Sequence, residues 1–146
     1  MADRPQPPKR ADFADFYPLQ TRWNDNDTYG HMNNVVHYAL FDTAVNGWLI
    51  ERGLLDPLTS PIFGLVVETG CRYFGEMQVP DRVTAGVRVG ELGRSSGRME
   101  LGLFRNDDDI ASAEGFFTHV YVRREDHRPE AIPDATRAAL QRLKTD

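Results

Sequence analysis

The chain has 146 residues, 40% hydrophobic and 27% charged, with a formal net charge of −5 at pH 7. That length suits one domain with its own apolar core. The acidic balance argues against a general nucleic-acid binder, which needs basic patches to neutralise phosphates, but leaves room for a small anionic ligand held by a few local arginines. There is no run of about 18 apolar residues to span a membrane, and the N-terminal residues lack the apolar centre of a signal peptide. Cys71 is the single cysteine, so no internal disulfide can form. Together these features point to the cytoplasm, where the sequon Asn26-Asp27-Thr28 would go unused.

Residues 1–12 are rich in proline and charge and are expected to form a flexible arm. Residues 13–146 then form one domain. Residues 16–23 read as a strand with Tyr17, Leu19 and Thr21 on one face, and residues 24–33 as a polar loop containing Gly30. A long helix is expected from Asn33 or Asn34 to about Arg52, with Gly53 at its end. Its apolar residues cover more than one stripe, so it should be buried on most of its circumference. Residues 61–74, 82–92, 98–105 and 110–123 read as four strands. Their alternation is clearest at Val83/Ala85/Val87/Val89 and Met99/Leu101/Leu103. Short turn-rich breaks between the last three predict antiparallel hairpins. Pro133 and Asp134 open a short helix to about Lys144. The order predicts an α+β fold: a five-stranded antiparallel sheet wrapped around a long central helix, with a short C-terminal helix. Such a sheet has open edges, and edge-to-edge pairing of two copies would close them.

The chemistry concentrates in residues 23–34, WNDNDTYGHMNN. Carboxylates, amides and an imidazole crowd there just before a helix. The first N–H groups of a helix have no intrahelical partners and carry partial positive charge. They can therefore polarise a carbonyl and stabilise its tetrahedral intermediate, while a nearby carboxylate attacks it or activates water. A thioester suits so sparse a site, because a thiol leaves as thiolate and needs little protonation. No serine or cysteine triad competes: there is no GxSxG, and Cys71 sits in an apolar strand pattern.

The stretch WNDNDTYGHMNNVVHYALFD resembles the start of the central helix in hotdog-fold acyl-CoA thioesterases of the 4-hydroxybenzoyl-CoA thioesterase family, in the branch reading D-x-x-G-H-[VM]-N-N. VVETGCRYFGEMQVPDRV, ELGRSSGRMELGLF and REDHRPEAIPDATRAAL resemble later parts of the same family. The resemblance implies a hotdog fold and hydrolysis of an acyl thioester to free acid and coenzyme A, which is substrate rather than cofactor. It makes Asp27 the catalytic aspartate, as nucleophile or as general base for water, gives Asp25 a structural role, and places the polarising backbone N–H at or near Asn34. Gly30, His31 and Asn33 would shape the pocket, Glu68 would face it from a neighbouring strand, and Arg94, Ser95 and Ser96 could hold coenzyme A phosphates. A homodimer or homotetramer with the active site at the subunit interface is implied as well. The 4-hydroxybenzoyl-CoA hydrolase itself has apolar residues after the glycine, unlike this chain.

Plainer roles exist for each residue. Asp27 could be a loop acid, His31 a backbone-bonding side chain, Asn33 and Asn34 helix caps, Glu68 a strand-edge acid, and residues 94–96 a solvated turn. Metal readings are weak. Asp25, Asp27 and Gly30 fit EF-hand positions 1, 3 and 6, but Val36 stands where a bidentate glutamate is required. Asp27, His31 and His37 lack a zinc spacing, so no metal is expected. Two other functions compete. Enoyl-thioester hydratases and dehydratases resemble D-x-N-P-x-H, whereas here no proline stands between Asp27 and His31. A non-catalytic acyl-CoA or carrier-protein binding module would not need Asp27.

Overall fold

In the computed structural model, which describes residues 4–145, α1 (Asn34–Glu51) buries a stripe of His37, Leu40, Phe41, Ala44, Val45 and Trp48. That spacing is one face of a helix. The stripe meets the inward side chains of β3 (Val83–Leu92), β4 (Ser96–Arg105) and β5 (Ala113–Arg123). Val83, Ala85, Val87 and Val89 alternate inward on β3, and Met99, Leu101 and Leu103 on β4. Two further strands complete one antiparallel sheet: β1 (Asp15–Leu19) beside β3, and β2 (Ile62–Tyr73) beside β5. The order β1-β3-β4-β5-β2 leaves β1 and β2 as edges. The short helix α2 (Asp134–Arg142) seats Ala139 and Leu140 against the same core. This is the five-stranded hotdog architecture, and no helix among the described residues is long and apolar enough to cross a membrane.

Three expectations are corrected. The first strand stops at Leu19, whose partner Val83 is where β3 begins, so no ladder remains to extend it. Trp23–Asp25 instead forms a 3-10 turn. The expected arm over residues 1–12 is docked at its far end: Pro8 is buried, its carbonyl accepts from Ala111 N–H at 2.9 Å, and Arg10 N–H reaches the Asp109 carbonyl at 3.1 Å. Phe13 fastens this segment on the outer face of the sheet, packed with Phe104 and Ala111. Gly86 and Gly102 admit its ring, since a Cβ on either would come within 2.8 Å of it. Residues 1–3 of the expected arm lie outside the described residues. Finally, α1 is not buried on most of its circumference. Val35 and Ile50 on its far side are exposed, the first at 68%.

β2 runs opposite to α1. Its last residue, Tyr73, meets the first turn of the helix, while Phe63 and Gly64 near its start share a cavity with Val45 and Leu49 near the helix end.

Candidate active site

Residues 24–33 fold into a tight loop closed by its own backbone. Asp27 N–H donates to the His31 carbonyl at 2.8 Å, Gly30 N–H returns to the Asp27 carbonyl at 3.1 Å, and Asn33 N–H reaches the Asp25 carbonyl at 2.8 Å. Gly30 has φ of +83°, a left-handed conformation that glycine adopts without strain. The loop leans on the β2–β3 connection: Met32 N–H donates to the Met77 carbonyl at 2.7 Å, and Val79 N–H to Asn26 Oδ1 at 3.0 Å. Asp27 and the start of α1 are thus held by one framework.

The two aspartates separate by environment. Asp25 is 1% exposed; its carboxylate accepts Arg22 N–H at 2.7 Å and the Arg22 guanidinium at 3.0 Å. It is fully occupied in closing the turn. Asp27 is half-buried. Its Oδ1 accepts Tyr29 N–H at 2.9 Å, while Oδ2 has no hydrogen-bond partner among the described residues.

The helix start shows a similar division. Asn33 caps it, with Oδ1 accepting Val35 N–H at 2.9 Å, and Val36 N–H bonds the Asn33 carbonyl at 2.9 Å. Asn34 N–H is left without a partner among the described residues. An open carboxylate oxygen and an open helix N-terminal amide are therefore presented by one loop-and-helix unit.

The other expected residues scatter. His31 Nε2 lies 3.0 Å from Glu76 Oε2, pairing the loop with the β2–β3 connection. Glu68 is exposed on β2 opposite Thr118, and no hydrogen bond or ion pair joins it to residues 23–34. Paired residues share a face of a sheet, and Thr118 alternates with the inward Phe117 and His119, so Glu68 stands on the face away from α1. Within one chain it does not face the loop. Arg94 and Ser95 turn from β3 into β4, whose first residue is Ser96. The Arg94 guanidinium is exposed and has no ion-pair or hydrogen-bond partner among the described residues, although its carbonyl accepts Ile132 N–H at 2.9 Å.

Two participants were not foreseen from sequence. The Tyr73 hydroxyl donates to the Asn34 carbonyl at 2.8 Å, and Glu76 holds His31. Tyr73 had a signal, since alternation from Cys71 puts it on the helix side of β2. Burial pushes the Cys71 thiol up, so it is no nucleophile at neutral pH. Asp27, His31 and His37 do not converge: His37 is buried edge-on to the Tyr73 ring while His31 turns to Glu76. Among the described residues no group of three His, Cys, Asp or Glu side chains could hold a metal ion.

Comparison with known proteins agrees with this architecture. None of the curated proteins matches the chain. The PA5185 protein of Pseudomonas aeruginosa is 48% identical, covering 96% of this chain and 98% of its own, with a TM-score of 0.93. PA2801, a proposed thioesterase of the same species, is 28% identical over 87% of this chain and 98% of its own, at TM-score 0.81. A thioesterase of Thermus thermophilus complexed with coenzyme A and zinc is 27% identical over 89% and 94% of the two chains, at TM-score 0.69. The Thioesterase-like superfamily matches residues 21–140. The chain therefore belongs to the Thioesterase-like superfamily and is a thioester hydrolase.

Proposed function

We propose that the protein is an acyl-CoA thioesterase in which Asp27 is the catalytic carboxylate, as general base or nucleophile, and the Asn34 N–H polarises the thioester carbonyl. The observation that carries this reading is the pair of open groups: of the first-turn amides, Val35 and Val36 are already bonded and Asn34 is not, while Asp27 keeps one carboxylate oxygen without a partner. With Asp27 as general base, its carboxylate takes a proton from water and the hydroxide adds to the carbonyl carbon. The oxyanion rests on Asn34 N–H. Collapse breaks the C–S bond, and the thiolate leaves with the proton held by Asp27. With Asp27 as nucleophile, the carboxylate itself adds, thiolate leaves, and water hydrolyses the mixed anhydride. Hydrolysis in oxygen-18 water under single-turnover conditions separates the two, because only the anhydride route can leave label in Asp27.

Gly30, His31 and Asn33 set the shape of the loop that presents these groups. The unpaired Arg94 guanidinium, with Ser95 and Ser96, supplies a cation and hydroxyls for coenzyme A phosphate. Coenzyme A bound to the Thermus thermophilus relative supports the same substrate class. The G-H-M-N-N motif favours the 4-hydroxybenzoyl-CoA thioesterase branch with a different acyl group, and the protein acts in the cytoplasm.

The working unit is at least a homodimer joined through β2. That strand is an edge of 12 residues with Val66 and Val67 exposed, whereas β1 has only five residues and carries Pro18. Glu68, which does not reach the loop of its own chain, lies on the edge where a second copy would join.

Asp27→Asn is the direct test of the assignment. It should lower kcat on a reactive acyl-CoA by at least about 100-fold with an unchanged melting temperature. Near-normal turnover in that variant would reject Asp27 as the catalytic group.

A further inference from the structure

An apolar chamber of about 180 Å³ lies between the end of α1, the α1–β2 loop, the sheet and α2. Leu49, Leu54 and Leu55 line one side, and Val89, Met99 and Leu140 the other. Phe63 and Gly64 of β2 also border it. Val45, the first α1 residue in its wall, is about three turns and about 16 Å along the helix from Asn34. A short acyl group held at Asn34 N–H cannot reach the chamber of its own chain.

A second copy changes the distance. If β2 pairs antiparallel with itself around the exposed Val67, the partner's Tyr73 falls beside Pro61 and its Cys71 beside Phe63. Tyr73 is the residue bonded to the start of α1. The partner's helix start, and with it the partner's Asp27 loop, is thereby brought to the side of the chamber that Phe63 and Gly64 border.

Among the described residues the wall offers no free charge. Arg98, which touches the chamber, has its Nε on Glu100 at 3.0 Å and its guanidinium 3.8 Å over the Phe116 ring. Asn46 spends its amide on the Asp42 carbonyl. His119 stacks on Phe117 and makes no hydrogen bond among the described residues, and burial holds its imidazole below the ordinary histidine range, hence neutral at pH 7. A charged tail would enter without a counter-ion, at high cost. For size, a dry cavity of about 150 Å³ with similar walls admits benzene, with its six carbons.

We infer that this chamber receives the tail of the acyl group whose thioester is cleaved by the partner's Asp27, and selects an uncharged apolar tail of about six to eight carbons. The inference rests on the thioesterase reading and names its substrate class.

The test is a panel of acetyl-, hexanoyl-, octanoyl-, palmitoyl-, benzoyl- and succinyl-CoA. The expected kcat/KM is highest for hexanoyl- and octanoyl-CoA, at least about tenfold above acetyl-, palmitoyl- and succinyl-CoA, since each buried methylene adds about 0.8 kcal/mol. Benzoyl-CoA tells an aryl tail of the same size from an aliphatic one. Gly97→Leu fills the chamber: a Cβ there meets only Leu92 Cδ1 at 3.4 Å and the Glu91 carbonyl at 3.9 Å. It should abolish the octanoyl preference and spare acetyl-CoA. Leu55→Ala, in the half-buried loop, should move the optimum to longer chains. A flat profile, a best rate with acetyl- or succinyl-CoA, or an equal loss on all esters in Gly97→Leu overturns the inference while leaving thioester hydrolysis intact. Calorimetry with Asp27→Asn supplies the independent arm. If no ester is hydrolysed but octanoyl-CoA binds more tightly than acetyl-CoA and Gly97→Leu removes the difference, the chamber stands and the thioesterase reading falls. Absence of both hydrolysis and selective binding rejects both.

Discussion

The Tyr73 hydroxyl donates a 2.8 Å hydrogen bond to the Asn34 carbonyl, fastening the edge strand β2 to the first turn of α1. Burial, and then the Cys71 thiol, push the Tyr73 hydroxyl up to about 12, so it stays a donor at every assay pH. The bond fixes the residue whose N–H is the open amide of the site, which makes Tyr73 a positioning residue. Tyr73→Phe should lower kcat by about tenfold and leave KM within about twofold, because it loosens a group that acts mainly in the transition state. Steady-state kinetics beside a melting curve decides the matter. A lower melting temperature with unchanged kcat would reduce Tyr73 to a structural contact.

Asp25 and Asp27 should respond in opposite ways. Asp25 is buried and accepts both the backbone N–H and the guanidinium of Arg22. Asp25→Ala leaves a backbone donor without its partner and opens the turn, at a cost of about 1–3 kcal/mol in urea unfolding. The fraction that remains folded should keep most of its kcat. Asp27→Asn should do the reverse. Swapped results would exchange the two roles.

Much of the fold was legible in the sequence because it is local. The strands follow from residues such as Val83, Ala85, Val87 and Val89, whose alternation is set by burial on one face, and from turns whose glycines and asparagines lie next to them. The helix end at Gly53 follows in the same way, with φ of +68° there. What was not legible depends on partners far along the chain. Glu76 holds His31, and Phe13 reaches across the sheet to Gly86 and Gly102. The loop 24–33 shows the same limit. Its polarity and Gly30 announce a loop, but the burial of Asp25 and the opening of Asp27 come from how the segment closes against Met77 and Val79. α1 is apolar beyond the stripe that its own sheet covers, so an expectation of burial all round fails for one chain and points to a second.

Acid should destabilise the fold in two stages. Burial holds His37 and His119 below the ordinary histidine value of 6.5. The unfolded chain therefore binds more protons than the native one below about pH 6.5, and stability falls as pH drops through that range. Above it, the histidine contribution is constant. At Asp15, burial acts upward but is outweighed by bonds from Trp48 and Phe16 and by Arg52, leaving its carboxyl below 3.8. That contribution is present above pH 3.8 and is lost only at lower pH. Urea midpoints should be level from about pH 7 to 8 and decline below about 6.5. His37→Leu should make the first decline shallower, leaving the share that His119 contributes, and leave the second unchanged; an unchanged first slope would show that His37 titrates normally.

Val67 is 61% exposed on the β2 edge, and a lysine there places like charges against each other in an antiparallel self-pair. Val67→Lys should sediment as a monomer, retain its far-UV circular dichroism, and lose at least about 90% of its acyl-CoA turnover. Two inactive variants then probe the arrangement directly. Asp27→Asn spoils the carboxylate, and Gly97→Leu spoils the chamber for octanoyl-CoA. If carboxylate and chamber come from different chains, a mixed dimer holds one intact site. That site joins Asp27 of the Gly97→Leu chain to the open chamber of the Asp27→Asn chain. Co-refolding equal amounts makes about half of the dimers mixed, so octanoyl-CoA turnover should return to about a quarter of the wild-type value. If both halves come from one chain, every site in the mixture carries a defect and no activity returns.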